Sequence, residues 1–88
     1  MSVLTGTVVA GTSATLLFRS SAEGGTQLTI TTHGNSADVY LGGATVTPSS
    51  NGIVLPKSQN LQIDVPFGET LYIAGNGTDT VKWITFGD

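Results

Sequence analysis

The run Leu61-Gln62-Ile63-Asp64-Val65 alternates apolar and polar residues without a break, and this two-residue period constrains the fold more than any other feature. Successive side chains on an extended strand point to opposite faces, so the run describes a strand with one buried and one wet face. Leu28 and Ile30 alternate with threonines in the same way, and Val39 and Leu41 repeat the pattern. Gln27 to Gly52 therefore reads as strand, polar turn, strand, double-glycine kink, short strand and turn. His33-Gly34-Asn35-Ser36 is the polar turn in this reading. Gly42-Gly43 lets the backbone bend as at a bulge or sheet corner, and Asn51-Gly52 suits a tight turn with positive φ.

The remaining runs are similar. Val3 to Val9 is β-branched and threonine-rich with Gly6 inside it, and it reads equally as a first strand or as an arm over residues 1–10 that orders against a neighbour. In Ala14 to Arg19 the period places Leu16 and Phe18 on one side and Thr15, Leu17 and Arg19 on the other. A strand is the first reading there and a one-turn helix the second. Ser20 to Gly25, Pro56-Lys57-Ser58-Gln59 and Pro66-Phe67-Gly68-Glu69 read as loops or turns. Leu71 and Ile73 oppose Tyr72 and Ala74. Beyond an expected Asn76-Gly77 hairpin, Val81, Trp83 and Thr85 oppose Lys82, Ile84 and Phe86. About seven or eight short strands at spacings of roughly 8–12 residues predict one all-β domain over residues 1–88, a small antiparallel β-sandwich or barrel. Its arrangement would be a meander or jelly-roll-like.

Composition supports strands and narrows the chemistry. Fourteen Thr stand with thirteen Val and Ile, all stiff at χ1, whereas strong helix formers are scarce. Thr, Ser and Gly supply 34 of the 88 residues and only 9 are charged, a low density that suits a protein packed into an assembly. The net charge of −3, with Arg19, Lys57 and Lys82 dispersed, offers no electrostatic footprint for nucleic acid. No run approaches the roughly 18 apolar residues of a membrane span, and no signal peptide is evident, so synthesis in the cytosol is expected. Asn76-Gly77-Thr78 fits a glycosylation sequon but reads better as a turn.

Catalytic and metal-binding constellations are not apparent. The chain has no Cys and a single His, which removes thiolate chemistry and a histidine-rich metal centre; no cofactor is expected. His33 reads as a solvated turn residue. Asp38, Asp64, Glu69 and Asp79 fall at or beside turns, and no spacing singles out the carboxylate pair that glycosidase chemistry needs. The glycines sit at turns between strands instead of opening helices, so no phosphate cradle is expected.

The C-terminal strand is apolar on both faces, which points to a second sheet or a second subunit. Tyr72, Ile84 and Phe86 are the candidates for an outer patch. Val3, Leu4, Val8 and Val9 are candidates for strand addition to a neighbouring sheet.

The order Leu28-Thr29-Ile30, Ser36-Ala37-Asp38-Val39-Tyr40-Leu41-Gly42-Gly43, Val46-Thr47, Asn51-Gly52 and Leu55 resembles a small β domain of tailed-bacteriophage virion proteins. Leu71-Tyr72-Ile73-Ala74 and Thr80-Val81-Lys82-Trp83-Ile84 are similar to that domain's closing hairpin. The resemblance runs from Leu28 to Ile84, and the first 25 residues match nothing in it. It implies a minor capsid (decoration) protein or head-fibre base on the virion surface, with the major capsid protein as partner and a homotrimer as the expected state. A tail or neck protein is the neighbouring possibility. It implies no catalytic residue. A cement of this kind would stabilise a shell by binding its assembled form alone, strengthened by avidity. The alternative is a carbohydrate- or receptor-binding sandwich in which Tyr40, Tyr72 and Trp83 stack on sugar rings beside Asn35, Asp38 or Asp64.

Overall fold

The alternating runs extend into eight strands: β1 Ser2–Val9, β2 Thr15–Arg19, β3 Thr26–Thr31, β4 Val39–Thr47, β5 Ser50–Leu55, β6 Asn60–Val65, β7 Thr70–Ala74 and β8 Thr80–Gly87. This is a computed structural model, and it describes residues 2–21, 23–47 and 50–87, in which there is no helix. Ala22 of the expected Ser20–Gly25 loop, and Pro48 and Ser49 between β4 and β5, lie outside the described residues. The strands form two four-stranded antiparallel sheets, ordered β1-β8-β3-β6 and β2-β7-β4-β5.

Of the consecutive strands, only β4 and β5 pair with each other; every other connection passes from one sheet to the other. That order is a jelly roll, not a meander. The expected Asn76-Gly77 hairpin is corrected accordingly. Gly77 has a φ of 88° and the chain does turn there, but β7 and β8 lie in different sheets. Turn residues specify a reversal of direction and leave the hydrogen-bonding partner open.

The inward faces follow the period-two reading over most of the chain. Leu28, Ile30, Val39, Leu41, Ile73 and Val81 are buried and pack as one cluster between the sheets. On β6, Val65 is buried and Leu61 and Ile63 pack against the same cluster, whereas Gln62 and Asp64 are exposed. β1 is a strand along its whole length, opposite β8 from Ser2↔Gly87 to Val9↔Thr80.

Two local expectations fail, and both at bulges. β2 slips register against β7 between Leu16↔Tyr72 and Phe18↔Leu71, so one extra residue is accommodated and alternation breaks. Leu17 becomes core, and Phe18 packs beside it against the Trp83 ring, with centroids 5.0 Å apart and planes at 67°. Leu16, expected to share a face with Phe18, is exposed instead. On β4 the register shifts between Gly42↔Gly52 and Thr47↔Ser50, as the double glycine suggested. Asn51-Gly52, expected as the tight turn, lies inside β5. Gly52 does not adopt positive φ; a Cβ there would meet the Leu41 carbonyl oxygen and Val46 Cγ2, so lack of space is what demands glycine.

Candidate functional surface

Many of the polar groups that could carry chemistry are engaged in tying the crossing loops together. Asp79, in the β7–β8 turn, accepts from the Ser36 N–H (3.1 Å), the Ala37 N–H (2.9 Å), the Ser36 hydroxyl (3.2 Å) and Asn76 Nδ2 (3.0 Å). Asn76 Oδ1 in turn accepts from the N–H groups of Thr78 and Asp79. One carboxylate thus clasps the β3–β4 turn to the β7–β8 turn. The Ser36 N–H, aided by the Ala37 N–H and the Ser36 and Asn76 side chains, holds the Asp79 carboxyl below the usual carboxylate range against partial desolvation.

Thr32 acts similarly at the β5–β6 turn. Buried completely, its hydroxyl donates to the Pro56 carbonyl (2.6 Å) and accepts from the Gln59 N–H (3.1 Å). Its N–H donates to Gln59 O, and its carbonyl accepts from the Ser58 N–H. Nothing in the sequence distinguishes Thr32 from thirteen other threonines. Ser20, also buried, bonds the Thr26 hydroxyl and exchanges backbone bonds with Gly68 and Glu69, pinning the opposite turn.

His33 is an exposed turn residue whose N–H donates to Thr31 Oγ1. Asp38 accepts from the Lys57 N–H, and Asp64 is exposed on β6. Among the described residues, no three His, Asp or Glu side chains converge as a metal site would require.

The expected interface residues separate into several places. Val3 lies opposite Phe86, and Thr5 opposite Ile84, on adjacent strands. Directly opposed residues share a face. The buried Val81 and Thr85 mark the inner face of β8, so Val3, Ile84 and Phe86 lie together on the outer face of the β1-β8-β3-β6 sheet. Phe86 is 65% exposed and Val3 55%. Thr29 adjoins Ile84 from β3, and Thr7 and Thr31 flank Lys82. Val9 is exposed on the same face.

The other three are elsewhere. Tyr72 opposes Gly42 in the second sheet, away from Ile84 and Phe86, which corrects the single patch expected for them. Val8 opposes Val81 and packs partly buried against the core, so it is not part of the outer patch. Leu4 opposes the buried Thr85 on the inward side yet remains exposed, on the edge strand of its sheet. Of the aromatic residues considered for sugar stacking, Trp83 is half-buried and packed on Phe18, so it offers no open platform. Tyr40, half-buried on β4, lines a shallow hollow with Ala37, Asp38, Gly75 and Asn76.

No protein-family model matches this sequence, and the curated proteins offer no significant relative. Among solved structures, the chain is similar to one from Bacillus endospore appendages, described as a novel family of disulfide-linked pili. The TM-score is 0.60 at 13% identity, over 97% of this chain and 84% of that one. The likeness is one of fold. The present chain has no cysteine.

Proposed function

We propose that this chain is a non-enzymatic structural protein that works by packing against other protein surfaces, as a decoration protein on the shell of a tailed-bacteriophage virion. The observation that carries the reading is the outer face of the β1-β8-β3-β6 sheet. There Val3, Phe86 and Ile84 form an apolar patch among threonines, with Lys82 and Asp64 as the charges on that face. An exposed apolar patch of this kind marks an interaction surface. Asp79, Asn76, Thr32 and Ser20 are taken up by loop pinning. The resemblance between Leu28 and Ile84 supplies the virion setting, with the major capsid protein as the partner.

The test is co-sedimentation of the purified protein with shells of the phage that encodes it, prepared without it. Saturable binding to shells, lost in Phe86→Asp while thermal stability is kept, supports the reading. Absence of binding, or full binding by Phe86→Asp, overturns it. Tail or neck placement would show as binding to those substructures and not to shells. The glycan reading now depends on Tyr40 and Tyr72 without Trp83, and a glycan array with the Tyr40→Ala variant would examine it.

A further inference from the structure

The four sheet edges are not equally defended. β2 carries a bulge and Arg19, β6 carries Asp64, and β5, itself without charge or proline, pairs with β4 across a register shift and ends at Pro56 and Lys57. Bulges, prolines and charges are the devices that keep an edge from pairing with another chain. β1 has none of them: Ser2–Val9 contains no charge and no proline and is paired on one side only, with β8. Three of its residues are large and half exposed, Val3 at 55%, Leu4 at 51% and Val9 at 50%.

The sequence of this edge is also nearly its own reverse. Val3-Leu4-Thr5-Gly6-Thr7-Val8-Val9 reads Val, aliphatic, Thr, Gly, Thr, aliphatic, Val from either end. An isologous two-fold contact requires that kind of self-complementarity. We propose that β1 pairs antiparallel with β1 of a second copy, about a two-fold axis at Gly6. Val3 then faces Val9 of the other copy, Thr5 faces Thr7 and Leu4 faces Val8. Every opposed pair matches in polarity and lies on the same face, and the exposed β1 apolar residues all gain partners. Two four-stranded sheets merge into one of eight, with the edges of both β1 strands removed. The two outer patches of Val3, Ile84 and Phe86 then lie on one continuous face.

Light scattering over a concentration series reads the state directly. The wild-type chain is expected at twice its 9.0 kDa mass. Thr5→Glu/Thr7→Glu places like charges opposite one another at two symmetry-related positions, with Glu at position 7 beside Lys82 in this variant and its control alike, and should weaken the dimer roughly tenfold or more. Thr5→Lys/Thr7→Glu makes those pairs opposite in sign and should keep it. Both positions are exposed, and circular dichroism verifies the fold of each variant. Independently, Val3→Cys/Val9→Cys should give a covalent dimer on oxidation, because directly opposed residues lie within disulfide reach. A wild-type monomer at all concentrations, a trimer, a dimer indifferent to Thr5→Glu/Thr7→Glu, or no cross-link would each overturn the pairing. No shell is involved, so the outcome tests the pairing apart from shell binding, and a dimer would replace the homotrimer that the resemblance implies.

Discussion

Gly6 and Trp83 are cross-strand partners on β1 and β8, and the indole occupies the space where a side chain at position 6 would project. A Cβ on Gly6 would lie 2.5 Å from Cε2, Cζ2 and Nε1 of Trp83. An aromatic ring over a strand glycine is a known way to secure a strand that glycine would otherwise weaken. Gly6→Ala should therefore destabilise the fold by about 1–3 kcal/mol through overpacking, despite alanine's lower chain entropy. The urea midpoint should fall with the slope unchanged. A midpoint equal to wild type would mean the ring moves aside at no cost.

Phe18 meets the same ring from the other sheet, edge to face. Phe18→Ala should cost about 2–4 kcal/mol, through the lost ring and the gap it leaves. Trp83 is the chain's single tryptophan, so its fluorescence should shift to the red as water reaches the indole. An unmoved emission maximum would place the contact elsewhere.

Thr32→Val keeps the shape and removes the hydroxyl that serves Pro56 and Gln59. The Pro56 carbonyl and Gln59 N–H, on exposed residues, would each lose a partner, at about 1 kcal/mol. Thr32→Ser should recover most of that loss. Chemical denaturation of the two variants side by side separates the hydroxyl from the methyl.

Asp79 makes stability depend on acid. Its carboxyl is held below its ordinary value in the folded chain, so the unfolded chain takes up the proton first as pH falls. The contribution is complete above the ordinary aspartate value, about 3.9, and is lost as pH drops through the lower folded value. Asp79→Asn cannot accept as a carboxylate does, so its melting temperature should lie below wild type at pH about 6 and the gap should narrow toward pH about 2. A gap constant across that range would show that the charge plays no part.

Much of this fold is legible in the sequence because strand burial obeys a local rule. Leu28, Ile30, Val39, Leu41 and Val65 could be assigned inward from their neighbours alone, since alternation is a property of extended backbone. The rule fails where an extra residue enters a strand. Leu16, Leu17 and Phe18 look alike in sequence, and which of them turns inward depends on the register of β7. The candidate surface divides in the same way. Ile84 and Phe86 belong to one strand and their shared face can be read directly, whereas Tyr72 lies on β7, and no local stretch of sequence says which sheet β7 joins.

The sequence by itself determined that strands would form, where most would turn, and that few groups were available for chemistry. These follow from propensity, period and composition, each set within a few residues. Tertiary structure alone decided that nearly every connection changes sheet, that β1 closes against β8 from the far end of the chain, and that Asp79 and Thr32 hold distant turns together. Those outcomes depend on pairings between residues from 24 to more than 80 positions apart, such as Thr32 with Pro56 and Ser2 with Gly87. They become favourable only when both sheets close over one core, which no local stretch of sequence encodes.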